Sequence, residues 1–386
     1  MSYKRLPPLL LSLLALAACG KQEESSAVKA IATTPDESVE IVKLGSVGPL
    51  TGPQAHLGKD NDNGVRLAID EINASQPTIG GKKVHFKLLS EDDQADPRTA
   101  TIVAQKLVDE QVRGVIGHLN SGTSIPASKI YADAHIPQIS PSATAVAYTH
   151  QGFKTTFRVM TNDSQQGKVL GEFAAHTLKA KTMAIIDDRT AYGQGLADVV
   201  EKTSQAAGVE IVAHEYTTDK STDFMAILTT IKAKKPDVLF YGGMDGQAGP
   251  MVKQVKALGL TATFLGGDGM QMAEFIKLAG ADSEGVYASS PGLPLESMAR
   301  GREFNTKFTA KYGKIQNYAP YAYDATMMLA EAMKLADSTD PAKFIPALMT
   351  LRHSGVTGEI AFDEKGDIRG GAVTIYRVHK GNWTAH

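Results

Sequence analysis

The chain has 386 residues, with 40 Lys and Arg against 42 Asp and Glu, 10 histidines and a single cysteine. A formal net charge of −2 over that length makes no electrostatic case for a nucleic-acid partner. One thiol closes no intrachain disulfide and builds no cysteine-based zinc site, so the fold has to hold by packing, and the length argues for two domains over one.

Lys4 and Arg5 precede a short apolar run from Leu9 to Ala18, and small residues lead into Cys19. That is the layout of a secretory signal, and the run is too short to span a bilayer. Leu16-Ala17-Ala18-Cys19 resembles the bacterial lipobox, in which cleavage precedes the cysteine and its sulfur receives a diacylglycerol. The expectation is a signal peptide at 1–18, a lipid anchor on Cys19 and a location on the periplasmic side of a bacterial membrane. Residues 19–38 are polar without apolar periodicity and read as a disordered tether, with a reach of roughly 25 Å.

Beyond the tether, short apolar runs alternate with amphipathic segments, the pattern of α/β units with mostly parallel sheets. "VEIVKLGSV" (39–47) predicts a strand and "GVRLAIDEIN" a helix with Val65, Ala68, Ile69 and Ile72 on one face. "VHFKLLS" (84–90) is the next strand, and Asp96 and Pro97 suit the cap and first position of a helix through Leu107. "GVIGHL" (114–119) predicts a third strand, followed by a helix near Ile125 to Ala134 and a short strand at Pro137 to Ile139. The pattern then repeats: "KTMAIIDD", "VEIVAHEY", "DVLFYGG", "ATFLGG" and "GVYAS" read as strands with helices between them. A helical stretch runs from Arg300 to Thr350, and "GEIAFDEKGDIRGGAVTIYRV" predicts two strands joined by a glycine-containing turn. The fold class is therefore α/β in two similar lobes.

Enzyme motifs are near misses. In "GPQAHLGKD" the glycines are spaced too widely for a phosphate loop, and Asp60 stands where a metal-binding hydroxyl belongs. In "GQGLAD", Asp198 fills the small-residue position of a dinucleotide fingerprint. There is no Gly-x-Ser-x-Gly elbow or His-Glu-x-x-His helix, and the histidines lack ligand spacing. Asp92 and Asp93 could share acid and base work or simply cap a solvated loop, and His118 reads as a core or hinge histidine. The chain is not expected to be an enzyme or to need a cofactor or metal.

Polar groups placed just after strands are more informative. "GHLNSGTSIPAS" sets Ser121, Gly122, Thr123 and Ser124 before a helix, where free N–H groups and hydroxyls suit a carboxylate. "ISPSATA" offers Ser142 and Thr144 after the next strand. "FLGGDGM" puts Asp268 among glycines, where it can end a turn, cap a helix or meet an ammonium group. Hydroxyls and helix-start amides facing a carboxylate would hold both ends of an α-amino acid.

In their order and spacing, "VGPLTGPQAHLG", "GVIGHLNSGTSIPASKIYAD", "ISPSATA", "AYGQGLAD", "FYGG", "GGDG" and "FDEKGD" resemble the periplasmic leucine/isoleucine/valine-binding family that supplies ABC transporters. The resemblance covers the chain from about residue 40 to its end. It implies two α/β lobes joined by three hinge crossings near Asn162, Pro291 and Gly371, with the ligand in the cleft between them. One lobe would be 39–162 plus 292–371, the other 163–291 plus 372–386. It further implies that Ser121 and Thr144 hold a ligand carboxylate and that the Ser142 carbonyl and Thr144 hydroxyl approach the ammonium. Ala143 would line the site in the same loop, Asp268 would complete the ammonium site, and Tyr192 would close the cleft.

Departures from that family bear on the ligand. Leu57 and Met244 replace aromatic residues and leave a more adaptable apolar pocket. Asp268 is shorter than the family's glutamate, and Gln94 and Asn120 stand where the leucine binders close a disulfide. The implied function is a lipid-anchored, monomeric solute-binding protein that captures a neutral apolar amino acid, of branched-chain type, by hinge closure and delivers it to an ABC permease. A sensing lipoprotein for an amino acid or amide, with a signalling partner, would use the same clamp. A dinucleotide-dependent enzyme built on "GQGLAD" is the third reading.

Overall fold

A computed structural model describes residues 39–386; the expected signal peptide, Cys19 and the tether lie outside the described residues. The chain opens with β1 (Val39–Gly48), α1 (Ala55–Ala74), β2 (Thr78–Ile79), β3 (Lys82–Asp92), α2 (Pro97–Asp109), β4 (Val115–Ile116), α3 (Ser121–Asp133), β5 (Gln138–Ser140) and β6 (Thr156–Arg158). These strands form one sheet in the order β2-β3-β1-β4-β5-β6, parallel except at β2. Next come α4 (Asp163–Glu172), β7 (Thr182–Asp187), α5 (Ala191–Ala206), β8 (Glu210–Tyr216), α6 (Met225–Lys234), β9 (Val238–Gly242), α7 (Asp245–Ala257), β10 (Thr263–Gly266), α8 (Ala273–Ala279) and β11 (Tyr287–Pro291). The remainder is α9 (Gly301–Tyr312), α10 (Ala319–Leu335), α11 (Pro341–Thr350), β12 (His353–Ser354), β13 (Glu359–Ile360), β14 (Val373–His379) and β15 (Asn382–Ala385). The second sheet has the order β15-β14-β11-β10-β9-β7-β8, and only β14 runs opposite to the rest, antiparallel to both of its neighbours. The expected two-lobed α/β architecture is thus present.

Continuous apolar runs explain the sheets. "VLFYG" of β9 is buried along its whole length and "TMAIID" of β7 almost so, because helices cover both faces of a parallel sheet. Asp96 caps α2 by accepting from the backbone N–H groups of Arg98 and Thr99, with Pro97 in the first turn. On α1, Leu57, Val65, Ala68, Ile69 and Ile72 are buried.

Three local expectations need correction. The two strands of "GEIAFDEKGDIRGGAVTIYRV" are not partners: β13 pairs with β12, whereas β14 joins the edge of the second sheet beside β11. Alternation specifies a strand and leaves its partner open; the hairpin is β14 with β15, turning at Lys380 and Gly381. Both α1 and α3 begin earlier than predicted, at Ala55 and Ser121, so Pro126 lies inside α3 and most of the phosphate-loop look-alike is helical. The helical stretch after Arg300 is three helices, interrupted at Gly313 and capped anew by Asp340.

The chain passes between the sheets at 159–162, just after 291, and at 369–372. These segments are tied together: Gly292 N–H donates to Ala372 O at 2.7 Å, Thr161 Oγ1 to Ala372 O at 3.0 Å, and Gln165 Nε2 to Gly371 O at 2.7 Å. Gly292 has φ +92°, and a Cβ there would meet Tyr321 Oη at 1.9 Å, so only glycine fits.

Candidate functional site

Strand ends of both sheets converge on one cavity. Leu119, Asn120 and Ser121 follow β4, Ser142 follows β5, Tyr192 lies on the helix after β7, Met244 follows β9, and Asp268 and Gly269 follow β10. Tyr318, just before α10, completes the wall. Ligands of open α/β sheets bind outside the carboxyl ends of strands. At about 20 Å³ the cavity is far smaller than the roughly 300–1,000 Å³ typical of drug-sized pockets.

Asp268 is the electrostatic centre, only 1% exposed. Its Oδ1 accepts from Tyr192 Oη at 2.8 Å and Gln166 Nε2 at 2.9 Å, and its Oδ2 accepts from Tyr318 Oη at 2.8 Å. Tyr192 Oη in turn accepts from the Gly269 N–H at 2.9 Å, and Gln166 Oε1 accepts from Ser289 Oγ at 2.8 Å. Burial pushes the Asp268 carboxyl above its ordinary value, and the hydrogen bonds from Tyr318, Gln166 and Tyr192 offset only part of that. Gln166 Nε2 also reaches Asp163 Oδ1 at 3.2 Å. Asp163 is 1% exposed, and burial, followed by the Asp268 charge, raises its carboxyl to about 7. Two buried acids thus share a neutral amide donor, a setting that favours a ligand cation.

On the opposite wall, α3 starts at Ser121 with no side-chain cap from Asn120, leaving first-turn N–H groups to face an anion. Ser121 Oγ accepts from Ala145 N–H at 3.1 Å, tying this turn to the 142–145 loop. Arg158, fully buried, anchors that loop from behind by donating Nη1 to Ala143 O and Ala145 O, both at 2.8 Å, while Nε and Nη2 pair with Asp367.

Ser121, Ser142, Tyr192, Met244 and Asp268 therefore surround one cavity. Ala143 and Thr144 are buried in the loop behind it: Thr144 O accepts from Asp163 N–H at 2.8 Å, and the Thr144 hydroxyl lies beside the Asp163 carboxyl and partly favours its ionised form. Leu57 is fully buried in the hydrophobic core and does not line this cavity. Sequence reasoning missed Gln166, Asp163 and Tyr318. Their separation from Asp268 along the chain hides them, although "NDSQQG" carries a readable cap at Asn162, which accepts from Ser164 and Gln165 N–H.

The other motifs resolve structurally. Asp92 accepts from Leu50 N–H, Thr51 Oγ1 and Gln94 N–H. His118 is buried between Asp93 (Nδ1 at 2.8 Å) and Tyr131 (Nε2 at 3.1 Å). Gly193 of "GQGLAD" sits inside α5, where a Cβ would meet Gly242 O at 2.4 Å, so its role is close helix–strand packing. Asp60 receives the N–H groups of Gln316, Asn317, Tyr318 and Ala319.

A two-lobed α/β fold with a small cavity at facing strand ends, holding a buried carboxylate, defines a solute-binding class. The periplasmic binding protein family model matches residues 41–382, and the chain belongs to that family. It is 33% identical over 344 residues to a leucine-, isoleucine-, valine-, threonine- and alanine-binding protein of Pseudomonas aeruginosa, covering 89% of this chain and 91% of the relative. A Leu/Ile/Val-binding protein homolog of Brucella abortus is 36% identical, with coverage of 86% and 89%. Among solved structures, a leucine binding protein of Thermotoga maritima superposes with a TM-score of 0.83 at 26% identity, covering 89% of this chain and 97% of that one. A branched-chain amino acid transporter substrate binding protein of Streptococcus pneumoniae in complex with isoleucine gives 0.80 at 28% identity, covering 90% and 100%. The family and these relatives are binding proteins and not enzymes, and membership implies an extracytoplasmic location.

Proposed function

We propose that this protein captures a neutral amino acid between its lobes and delivers it to an ABC permease, tethered to the membrane through a lipid on Cys19. The lobes are 39–162 plus 292–371 and 163–291 plus 372–386, and the segments near Asn162, Pro291 and Gly371 act as the hinge. Ligand bridges the lobes and shifts the open and closed populations, a mode for which periplasmic binding proteins are a standard example. The observation that carries the reading is Asp268: a buried carboxylate with neutral donors from both lobes, across a small cavity from the first turn of α3. An ammonium at Asp268 and a carboxylate at Ser121 match that polarity. Relatives whose names specify leucine, isoleucine and valine support an amino-acid ligand.

The test is calorimetric titration of the purified chain, stripped of carried-over ligand by unfolding and refolding, against the common amino acids. Saturable binding of a neutral amino acid is expected, and Asp268→Ala should weaken it by at least about 30-fold, the lower end for removing one partner of a buried charge pair. Unchanged affinity in the variant would make the ammonium assignment wrong.

A further inference from the structure

We infer that the ligand's side chain carries a hydrogen-bond donor, a hydroxyl or carboxamide, directed at Asn120, so that the preferred ligand is a neutral polar amino acid. This rests on the amino-acid reading of the same cavity and replaces the apolar side chain expected from Leu57 and Met244.

Asn120 occupies the N-cap position of α3, where an asparagine ordinarily turns its side-chain oxygen back onto a first-turn N–H. Here it makes no cap bond. Instead Nδ2 donates to Gln54 Oε1 at 2.7 Å, which fixes the amide plane, and Oδ1 is buried with no partner among the described residues. A buried acceptor held in place by a second amide and left unpaired is costly unless a ligand completes it.

Its position also selects which part of the ligand it meets. Asn120, Tyr192 and Met244 line both the inner cavity and a wider outer part of the cleft of about 450 Å³. Asp268 and Ser142 border only the inner cavity, so Asn120 stands where a side chain leaves the α-carbon region. Beyond it the lining mixes Gln54, Asp188, Arg189, Thr190 and Asp219 with Ala95, Pro97 and Ala191, so polar partners are within reach of a side chain there. Leu57, the aliphatic residue that would have favoured an apolar side chain, is sequestered in the core.

Isosteric pairs give the decisive experiment: threonine against valine and asparagine against leucine, titrated calorimetrically into the ligand-stripped full chain and into Asn120→Leu. A fully buried site built for a hydroxyl rejects its apolar isostere by roughly 10,000-fold or more. Asn120 is only partly buried and borders the open cleft, so the discrimination expected is about 10- to 100-fold in favour of the polar member of at least one pair. Asn120→Leu should erase that ratio, and a cooperative thermal unfolding transition shows that the variant folds. If it binds nothing, the ratio in the unaltered protein still decides. Equal or tighter binding of the apolar members would overturn the inference and leave the amino-acid reading standing. A polar preference that survives Asn120→Leu would overturn the assignment to Asn120. Failure of every amino acid to bind would overturn both.

Discussion

Asp163 and Asp268 set the pH behaviour of the cleft. A carboxyl raised to about 7 holds its proton more tightly in the folded chain than in the unfolded one, so it favours the fold at low pH. That contribution is lost as pH rises from its ordinary value of 3.8 to about 7. The unliganded protein should therefore show a urea midpoint that falls across this window, and Asp163→Asn should fall less; identical slopes would mean that Asp163 titrates normally. A ligand ammonium works the other way, because it favours the ionised carboxyl. Binding should release a proton near neutral pH and tighten as pH rises through about 7, which calorimetry in buffers of different ionisation enthalpy measures directly. None of this was legible in the sequence, where Asp163 simply follows the expected hinge at Asn162.

At the scale of elements, Asp60 joins two helices distant in the chain. From α1 it accepts four backbone N–H groups at the start of α10 and so positions Tyr318 against Asp268. Asp60→Ala leaves those groups to find new partners in a buried place. It should cost at least about 2 kcal/mol in denaturant titrations and weaken ligand binding through Tyr318. A stable variant with normal affinity would show that α10 holds its own N-terminus. Sequence periodicity placed α1 and a single helical stretch over α10 but not this link, since Asp60 resembled a failed phosphate loop. The start of α3 shows the same limit: "SGTS" reads as a loop by composition, yet its residues form the helix's first turn.

For the whole molecule, α1 and α7 meet where His56 Nε2 lies 2.8 Å from Asp245 Oδ2. Burial disfavours charge on His56, but the Asp245 hydrogen bond and charge, with Glu274 and the Pro53 carbonyl adding to them, raise its pKa above 6.5. The bridge between the lobes is then complete below 6.5 and weakens as pH rises through the higher folded value. Small-angle scattering of the unliganded protein should show a larger radius of gyration at alkaline pH than at mildly acidic pH, and His56→Ala should remove the difference. A pH-independent radius in the unaltered protein would sink this prediction.

The sequence by itself determined the class: alternating apolar runs and amphipathic segments specify parallel α/β units, and glycines with hydroxyls after strands mark where a ligand can approach. Those are local properties, written within a few residues of one another. Tertiary structure alone decided which polar groups share the cavity. Gln166, Tyr192 and Tyr318 converge on Asp268 from three separate elements. The burial that moves the Asp163 and Asp268 carboxyls exists only once both lobes surround them. Likewise, the free oxygen of Asn120 follows from a bond to Gln54 that no spacing in the chain foretells. Hydrogen-bond partners and dielectric surroundings depend on distances between segments remote in the chain, and those distances are set by the packing of the two sheets and their helices.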